Sequence, residues 1–284
     1  MDRSSSGARH DLIVDAGDGL ELHSSDRGSG SPLILVHGFT GSGKIWEPIQ
    51  SELSQSCRVL SIDLPGHGKS SVPEDPARYA LDRFADDLVC VLDAGAIDRA
   101  VLIGYSLGGR AAMRFALRHA DRLSGLVLES ASPGIDSPAE RAERLRADHE
   151  LADFIEREGI EAFVNRWESL PLWETQRSLS HEQVGRLRSQ RLSGNAVGLA
   201  NSLRGAGAAT DDPVLPRLHE IDAPVLLIAG ELDRKYAALA AAMHRVMKQS
   251  RLRIIEGAGH AVHLEKPDEF VAAVSDFVKE LEPV

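Results

Sequence analysis

Cysteine is almost missing from this chain of 284 residues: there are two, Cys57 and Cys90. That excludes a disulfide scaffold, and both thiols are expected to be reduced, in or near the core of a cytoplasmic protein. Aromatic residues supply only 5% of the sequence, so Ala, Leu, Val and Ile must fill the interior. No apolar run reaches the length of a membrane span. Residues Met1 to His10 lack the apolar centre of a secretion signal and read as a loose tail. Positive charge is in deficit: 32 Lys and Arg face 43 Asp and Glu, a formal net charge of −11. That balance repels nucleic acid and anionic membrane at long range, so neither is expected as a partner, and no obligate protein partner is evident. An anionic substrate would have to be captured by local cations. Metal-ligand spacing is also lacking, since His260 and His263 are a helical turn apart at best and have no obvious third ligand. No internal repeat or low-complexity tract is evident.

What remains is enough for one full-sized core, with 43% of residues hydrophobic. Residues 11–25 alternate weakly around an Asp15-Ala16-Gly17-Asp18-Gly19 turn, which predicts an opening hairpin. Short apolar runs follow at 32–36, 59–62, 100–103, 125–128 and 224–229, and Leu252-Arg253-Ile254-Ile255 is a sixth candidate. Such runs suit strands buried on both faces of a parallel sheet. Apolar stripes at helical spacing lie between them. Phe84, Leu88, Val91 and Leu92 form one; Phe270, Val271, Val274, Phe277, Val278 and Leu281 form another, opened by Pro267. Alternating strands and helices predict a doubly wound α/β fold, with active sites at the carboxyl ends of the strands. The alternation breaks at about 133–213, a charged, helix-prone stretch without a convincing strand. It reads as a helical cap inserted into a core made of 11–132 and 214–284.

Gly104-Tyr105-Ser106-Leu107-Gly108 fits G-x-S-x-G, with a predicted strand before it and a predicted helix over 109–119 after it. A strand-to-helix turn that tight strains the serine backbone and holds its hydroxyl clear of the sheet. A serine hydroxyl needs a partner to take its proton. His260, in the Gly257-Ala258-Gly259-His260 loop after a strand, is the best partner. Asp233 closes another strand and would fix the imidazole tautomer; Ser, Asp, His is the chain order this fold uses. Glu129, also at a strand end, is the alternative acid. His37 and His67 read as braces in Gly-containing loops, and His263 as a supporting or exposed residue. The backbone N–H groups of Phe39 and Leu107 are candidates for an oxyanion hole. The loop from Asp63 to Ser70 reads as structural.

These four motifs, in this order, resemble the α/β-hydrolase superfamily across nearly the whole chain. Finer features resemble one family within it, the 2-succinyl-6-hydroxy-2,4-cyclohexadiene-1-carboxylate synthases of menaquinone (vitamin K2) biosynthesis. They are Leu107-Gly108-Gly109-Arg110 after the serine, Glu129 to Ile135 opening the cap, Trp167, Pro171-Leu172-Trp173, Leu187-Arg188-Ser189, and Gly198 to Arg204. Gly230-Glu231-Leu232-Asp233-Arg234-Lys235-Tyr236 completes the set. The resemblance implies a lyase without a cofactor or metal. It would eliminate pyruvate from an enolpyruvyl-substituted cyclohexene carboxylate, with Ser106 as general base poised by His260 and Asp233. It also implies Tyr105, Arg110, Arg144, Trp167 and Arg188 as substrate-binding residues. The chain departs from the family at Ala261, where Asn is frequent, at Tyr236, commonly Phe, and over 205–211, which lacks an expected Gln.

The arginines have a physical rationale of their own. The implied substrate carries three carboxylates, and guanidinium binds carboxylate bidentately. Residues 133–213 hold ten arginines and no lysine, but also fourteen Asp or Glu, so most of those arginines are expected in surface pairs. An esterase or a carbon–carbon bond hydrolase would use the same triad, and a ligand receptor could retain it for sensing. A haloalkane dehalogenase would place Asp where Ser106 stands.

Overall fold

A computed structural model describes residues 10–281. Eight strands form one sheet in the order β1-β2-β4-β3-β5-β6-β7-β8. They are β1 His10–Asp15, β2 Glu21–Gly28, β3 Ser31–Val36, β4 Cys57–Ile62, β5 Ala100–Tyr105, β6 Leu123–Glu129, β7 Val225–Gly230 and β8 Ser250–Ile255. The β2 strand runs antiparallel to both β1 and β4, and the remaining pairs are parallel. The helices are α1 Glu47–Leu53, α2 Leu81–Ala94, α3 Leu107–Arg118, α4 Pro138–Glu168, α5 His181–Leu192, α6 Ala196–Ala206, α7 Arg234–Val246, α8 Val262–Glu265 and α9 Pro267–Leu281.

All six apolar runs are strands. Every residue of β5 and of β7 is buried, as central parallel strands covered by helices on both faces require. The exception is β8, in which no residue is fully buried and Ile254 is 43% exposed. It pairs on one side alone, with β7, so only half its surface is covered. The opening hairpin is present, and it corrects the reading of the first ten residues at one end: His10 pairs with Asp26 inside β1. The rest of the expected tail, residues 1–9, lies outside the described residues.

Two apolar layers sandwich the sheet. The stripe Phe84, Leu88, Val91 and Leu92 of α2 packs with α3 on one side, and Phe270, Val274, Phe277 and Val278 of α9 pack on the other. Each large side chain so buried contributes ~1.5–3 kcal/mol.

Between β6 and β7 the chain makes helices only. The ends of this segment meet, where the Val214 N–H donates to the Pro133 carbonyl at 2.7 Å. A third apolar cluster of Ile155, Phe163, Val164, Leu199 and Leu203 joins α4 to α6. Gly159 interrupts α4 at φ 81°, ψ 174°, a conformation essentially confined to glycine. The bend lets both halves of α4 face the same cavity. A Cβ at Gly159 would touch nothing within 4 Å, so any cost of adding one is purely backbone. Gly159→Ala should therefore destabilise the protein by ~1–3 kcal/mol in urea unfolding. A glycine in regular helix would give the opposite sign.

Candidate active site

The sheet register brings the loops together. Val36 lies beside Gly104, Tyr105 beside Glu129, Glu129 beside Ile228, and Gly230 beside Ile255. The carboxyl ends of β3, β5, β6, β7 and β8 therefore open onto one edge, as expected for a parallel sheet.

Ser106 sits between β5 and α3 at φ 52°, ψ −107°, a strained conformation for a residue with a side chain. The glycines explain how so sharp a turn fits. A Cβ on Gly104 would lie 2.5 Å from the Gly108 carbonyl oxygen, and one on Gly108 would lie 2.1 Å from that of Val36. The Ser106 N–H donates to the Glu129 carbonyl at 2.9 Å, which pins the turn to β6.

Ser106, Asp233 and His260 converge. The His260 Nε2 is 3.2 Å from the Ser106 hydroxyl, and its Nδ1 is 2.6 Å from the Asp233 carboxylate. His260 is buried, as is Asp233. Glu265 holds the histidine loop from both sides, accepting the Gly259 and Ala261 N–H groups. Glu129, the alternative acid, is elsewhere engaged. Its carboxylate accepts both the backbone N–H and the Nδ1 of His263, at 3.0 and 2.8 Å. That corrects any reading of His263 as exposed: it is completely buried between Trp46 and Tyr105. One acid therefore pairs with His260, while the other anchors its loop to β6.

The two loop histidines brace as expected. His37 places Nδ1 2.8 Å from the Gly38 carbonyl and accepts the Leu64 N–H on Nε2. His67 places Nδ1 2.9 Å from the Pro65 carbonyl. Burial pushes both imidazoles down, His67 to about 3 with the nearby His37 contributing. An unfolded chain binds these protons below about pH 6.5 and the folded one does not, so folding stability must fall as pH drops from there toward about 3. The expected slope is ~1.4 kcal/mol per pH unit for each fully shifted histidine. Urea unfolding of His67→Gln at pH 4 to 7 should show a shallower fall; an unchanged slope would remove His67 from this account.

Above the triad lies a cavity of about 420 Å³, lined by Phe39, Tyr105, Ser106, Leu107 and His260 from the sheet edge and by the helices that follow β6. Leu107 is the first residue of α3, so its N–H has no carbonyl within its own helix to bond. The positive end of that helix faces the serine.

The expected binding residues divide. Tyr105, Arg110, Arg144 and Trp167 line the cavity. Burial and the neighbouring Glu129 raise the Tyr105 hydroxyl well above its usual range, so it is a neutral wall. Arg110 is buried and donates to the Ala206 and Gly207 carbonyls at 2.6 and 2.8 Å, tying α3 to the negative end of α6. Burial lowers its guanidinium to about 10, so it stays charged at neutral pH. The Nε of Arg144 donates to Asp148 at 2.8 Å, one helical turn along. Arg188 is the correction: it does not line the cavity. Glu168, the last residue of α4, draws it aside together with Arg191, and Asn165 takes its other nitrogen.

Sequence reasoning missed Arg166, Asp148 and Trp173 as lining residues. Arg166 stacks over Phe154 at 5.0 Å, and among the described residues no carboxylate lies in ion-pair range of it. Its position beside Trp167 was the available signal. Trp173 packs edge-on against His260, with ring centroids 5.6 Å apart. Tyr236, the departure noted in the sequence, also lines the cavity and packs against His260, with ring centroids 4.5 Å apart.

Comparison with known proteins agrees with this fold. A family model described as alpha/beta hydrolase fold matches residues 31–267. A Bacillus subtilis (strain 168) protein named "Putative 2-succinyl-6-hydroxy-2,4-cyclohexadiene-1-carboxylate synthase" is 42% identical over 267 residues, covering 93% of this chain and 97% of the relative. Among solved structures, MenH from S. aureus superposes with a TM-score of 0.88 at 34% identity, covering 92% of this chain and 99% of that one. A thermophilic esterase from Thermogutta terrifontis superposes with a TM-score of 0.85 at 30% identity, covering 97% and 100%. The chain belongs to the alpha/beta hydrolase fold family, and within it resembles the 2-succinyl-6-hydroxy-2,4-cyclohexadiene-1-carboxylate synthases.

Proposed function

We propose that this protein is a carbon–oxygen lyase of menaquinone biosynthesis. Its substrate is 5-enolpyruvoyl-6-hydroxy-2-succinyl-cyclohex-3-ene-1-carboxylate, and its products are 2-succinyl-6-hydroxy-2,4-cyclohexadiene-1-carboxylate and pyruvate. The observation that carries this reading is the charge of the cavity wall: Arg110, Arg144 and Arg166 line it, against one carboxylate, Asp148. A site for an uncharged acyl chain gains nothing from three guanidinium groups, whereas a tricarboxylate needs them. A cavity of about 420 Å³ falls in the range of small-ligand sites. The names of the Bacillus relative and of the S. aureus structure support the same assignment.

In this mechanism Ser106 removes the ring proton next to the succinyl carbonyl and passes its own proton to His260. Asp233 stabilises the imidazolium. Negative charge spreads onto the succinyl oxygen, opposite the N–H groups of Phe39 and Leu107. The ring carbon–oxygen bond then breaks, the second double bond forms, and pyruvate leaves as its enolate to be protonated. No acyl-enzyme forms. Residues 133–213 act as the cap that closes the site. Neither Cys57 nor Cys90 is joined in a disulfide, which fits a cytoplasmic setting.

The second reading is an esterase, favoured by the likeness to the Thermogutta enzyme. Purified protein offered both the enolpyruvyl substrate and short-chain aryl esters separates the two. Pyruvate release at ordinary turnover is the expected result. Efficient ester cleavage without pyruvate would reverse the assignment.

A further inference from the structure

The cavity lining contains four buried side-chain polar atoms without a hydrogen-bond partner: Trp167 Nε1, Trp173 Nε1, Ser202 Oγ and Asp148 Oδ2. Leaving such groups unpaired is costly, so each implies a partner that the occupied cavity supplies. Their chemistry is not the same. The two indole N–H groups only donate, and the serine hydroxyl does either. Asp148 Oδ2, as a carboxylate oxygen, only accepts.

Asp148 is out of place by charge alone. It sits on α4 with its side chain 5% exposed, in a cavity that otherwise offers cations. Its Oδ1 accepts the Arg144 Nε at 2.8 Å, which leaves Oδ2 uncommitted. The chain makes room for this carboxylate: a Cβ on Gly207 would lie 2.8 Å from Oδ2. A buried carboxylate beside the place where a polyanion binds repels that polyanion unless it receives a proton donor from it.

The substrate proposed above has one hydrogen-bond donor at neutral pH. Its three carboxylates, its ketone and its enol ether only accept; its ring hydroxyl donates. Taking that substrate as given, we infer that Asp148 Oδ2 accepts the hydrogen bond of the ring hydroxyl and makes the site selective for a hydroxylated polycarboxylate. Asp148 is then a binding residue with two partners. It steers Arg144 with one oxygen and reads the hydroxyl with the other, and it disfavours ligands that present a carboxylate or nothing at that point.

Two ligands test this, the diene product and 2-succinylbenzoate, the aromatic compound left when that product loses its hydroxyl as water. Dissociation constants for both are measured by titration calorimetry on the wild-type protein, Asp148→Ala and the isosteric Asp148→Asn. A hydrogen bond to a charged acceptor corresponds to about tenfold or more in affinity. Removing it should cut the preference for the hydroxylated ligand by that factor in Asp148→Ala, while 2-succinylbenzoate binds as well as before or better. Asp148→Asn, which keeps an acceptor oxygen but not the charge, should fall between, and it carries the test if the alanine variant does not fold. A preference that survives in both variants would overturn the assignment. So would equal weakening of both ligands, which would mean that Asp148 acts only through Arg144. If neither ligand binds the wild-type protein, the Asp148 assignment fails, and pyruvate release measured on the same preparation shows whether the proposed substrate fails with it.

Discussion

Ser106→Ala will release pyruvate ~10²–10⁴-fold more slowly than the wild-type protein while binding the substrate about as tightly. A positioned general base supplies ~10²–10⁴-fold on its own, and here no other side chain stands in its place. His260 holds Nε2 3.2 Å from the Ser106 hydroxyl and spends its other nitrogen on Asp233. The substitution leaves the grips untouched, because Arg110, Arg144 and Arg166 reach the cavity from other elements. It also leaves the fold intact, since alanine takes over the same strained turn with the same Cβ and keeps the N–H bond to the Glu129 carbonyl. Steady-state pyruvate release, together with calorimetric binding of the product, checks both halves. Turnover within tenfold of wild type would remove Ser106 from the chemistry.

The two buried acids predict a sharper contrast. Asp233→Asn should lower kcat by ~10³–10⁴-fold, because an amide can donate to Nδ1 and so stabilise the wrong imidazole tautomer, and it cannot stabilise the imidazolium. The residue also receives the Tyr236 N–H at 3.4 Å at the start of α7, a bond that Asn preserves, so stability should change little. Glu129→Gln should behave in the opposite way. It removes the charged acceptor of a completely buried imidazole and should cost ~1–3 kcal/mol of stability, with kcat falling far less than in Asp233→Asn. Urea unfolding and pyruvate release on the two variants decide the matter. A large kcat loss confined to Glu129→Gln would exchange the roles of the two acids.

Much of the fold was legible in the chain. Continuous apolar runs such as 100–103 and 224–229 can only be buried on both faces, and they became the central strands β5 and β7. The run at 252–255 looked similar, yet β8 lies at the sheet edge. Position across a sheet is set by strand order, and no local pattern encodes it. The turn at Ser106 was equally legible, because its glycines are required by backbone contacts within a few residues and with the adjoining strand.

Residues that act through distant partners were less legible. Arg188 has the composition of a carboxylate grip, and Glu168 takes it out of the cavity. Arg110 lines the cavity but is also the clamp on the end of α6. Arg166 and Asp148 carried no motif of their own, and Trp173 stood out only within Pro171-Leu172-Trp173; all three became lining residues once α4 bent at Gly159 and the turn after it, Pro171–Ser178, settled beside His260.

The linear order of residues by itself determined the layered α/β architecture, the strained serine turn and the set of groups able to carry a proton, because periodicity, glycine sterics and side-chain chemistry act over short stretches. Only the tertiary structure decided which acid serves His260 and which arginines keep a free face. Those choices depend on pairings between residues such as Asp233 and His260, or Glu129 and His263, that lie far apart in the chain and meet only when the strand ends are brought side by side.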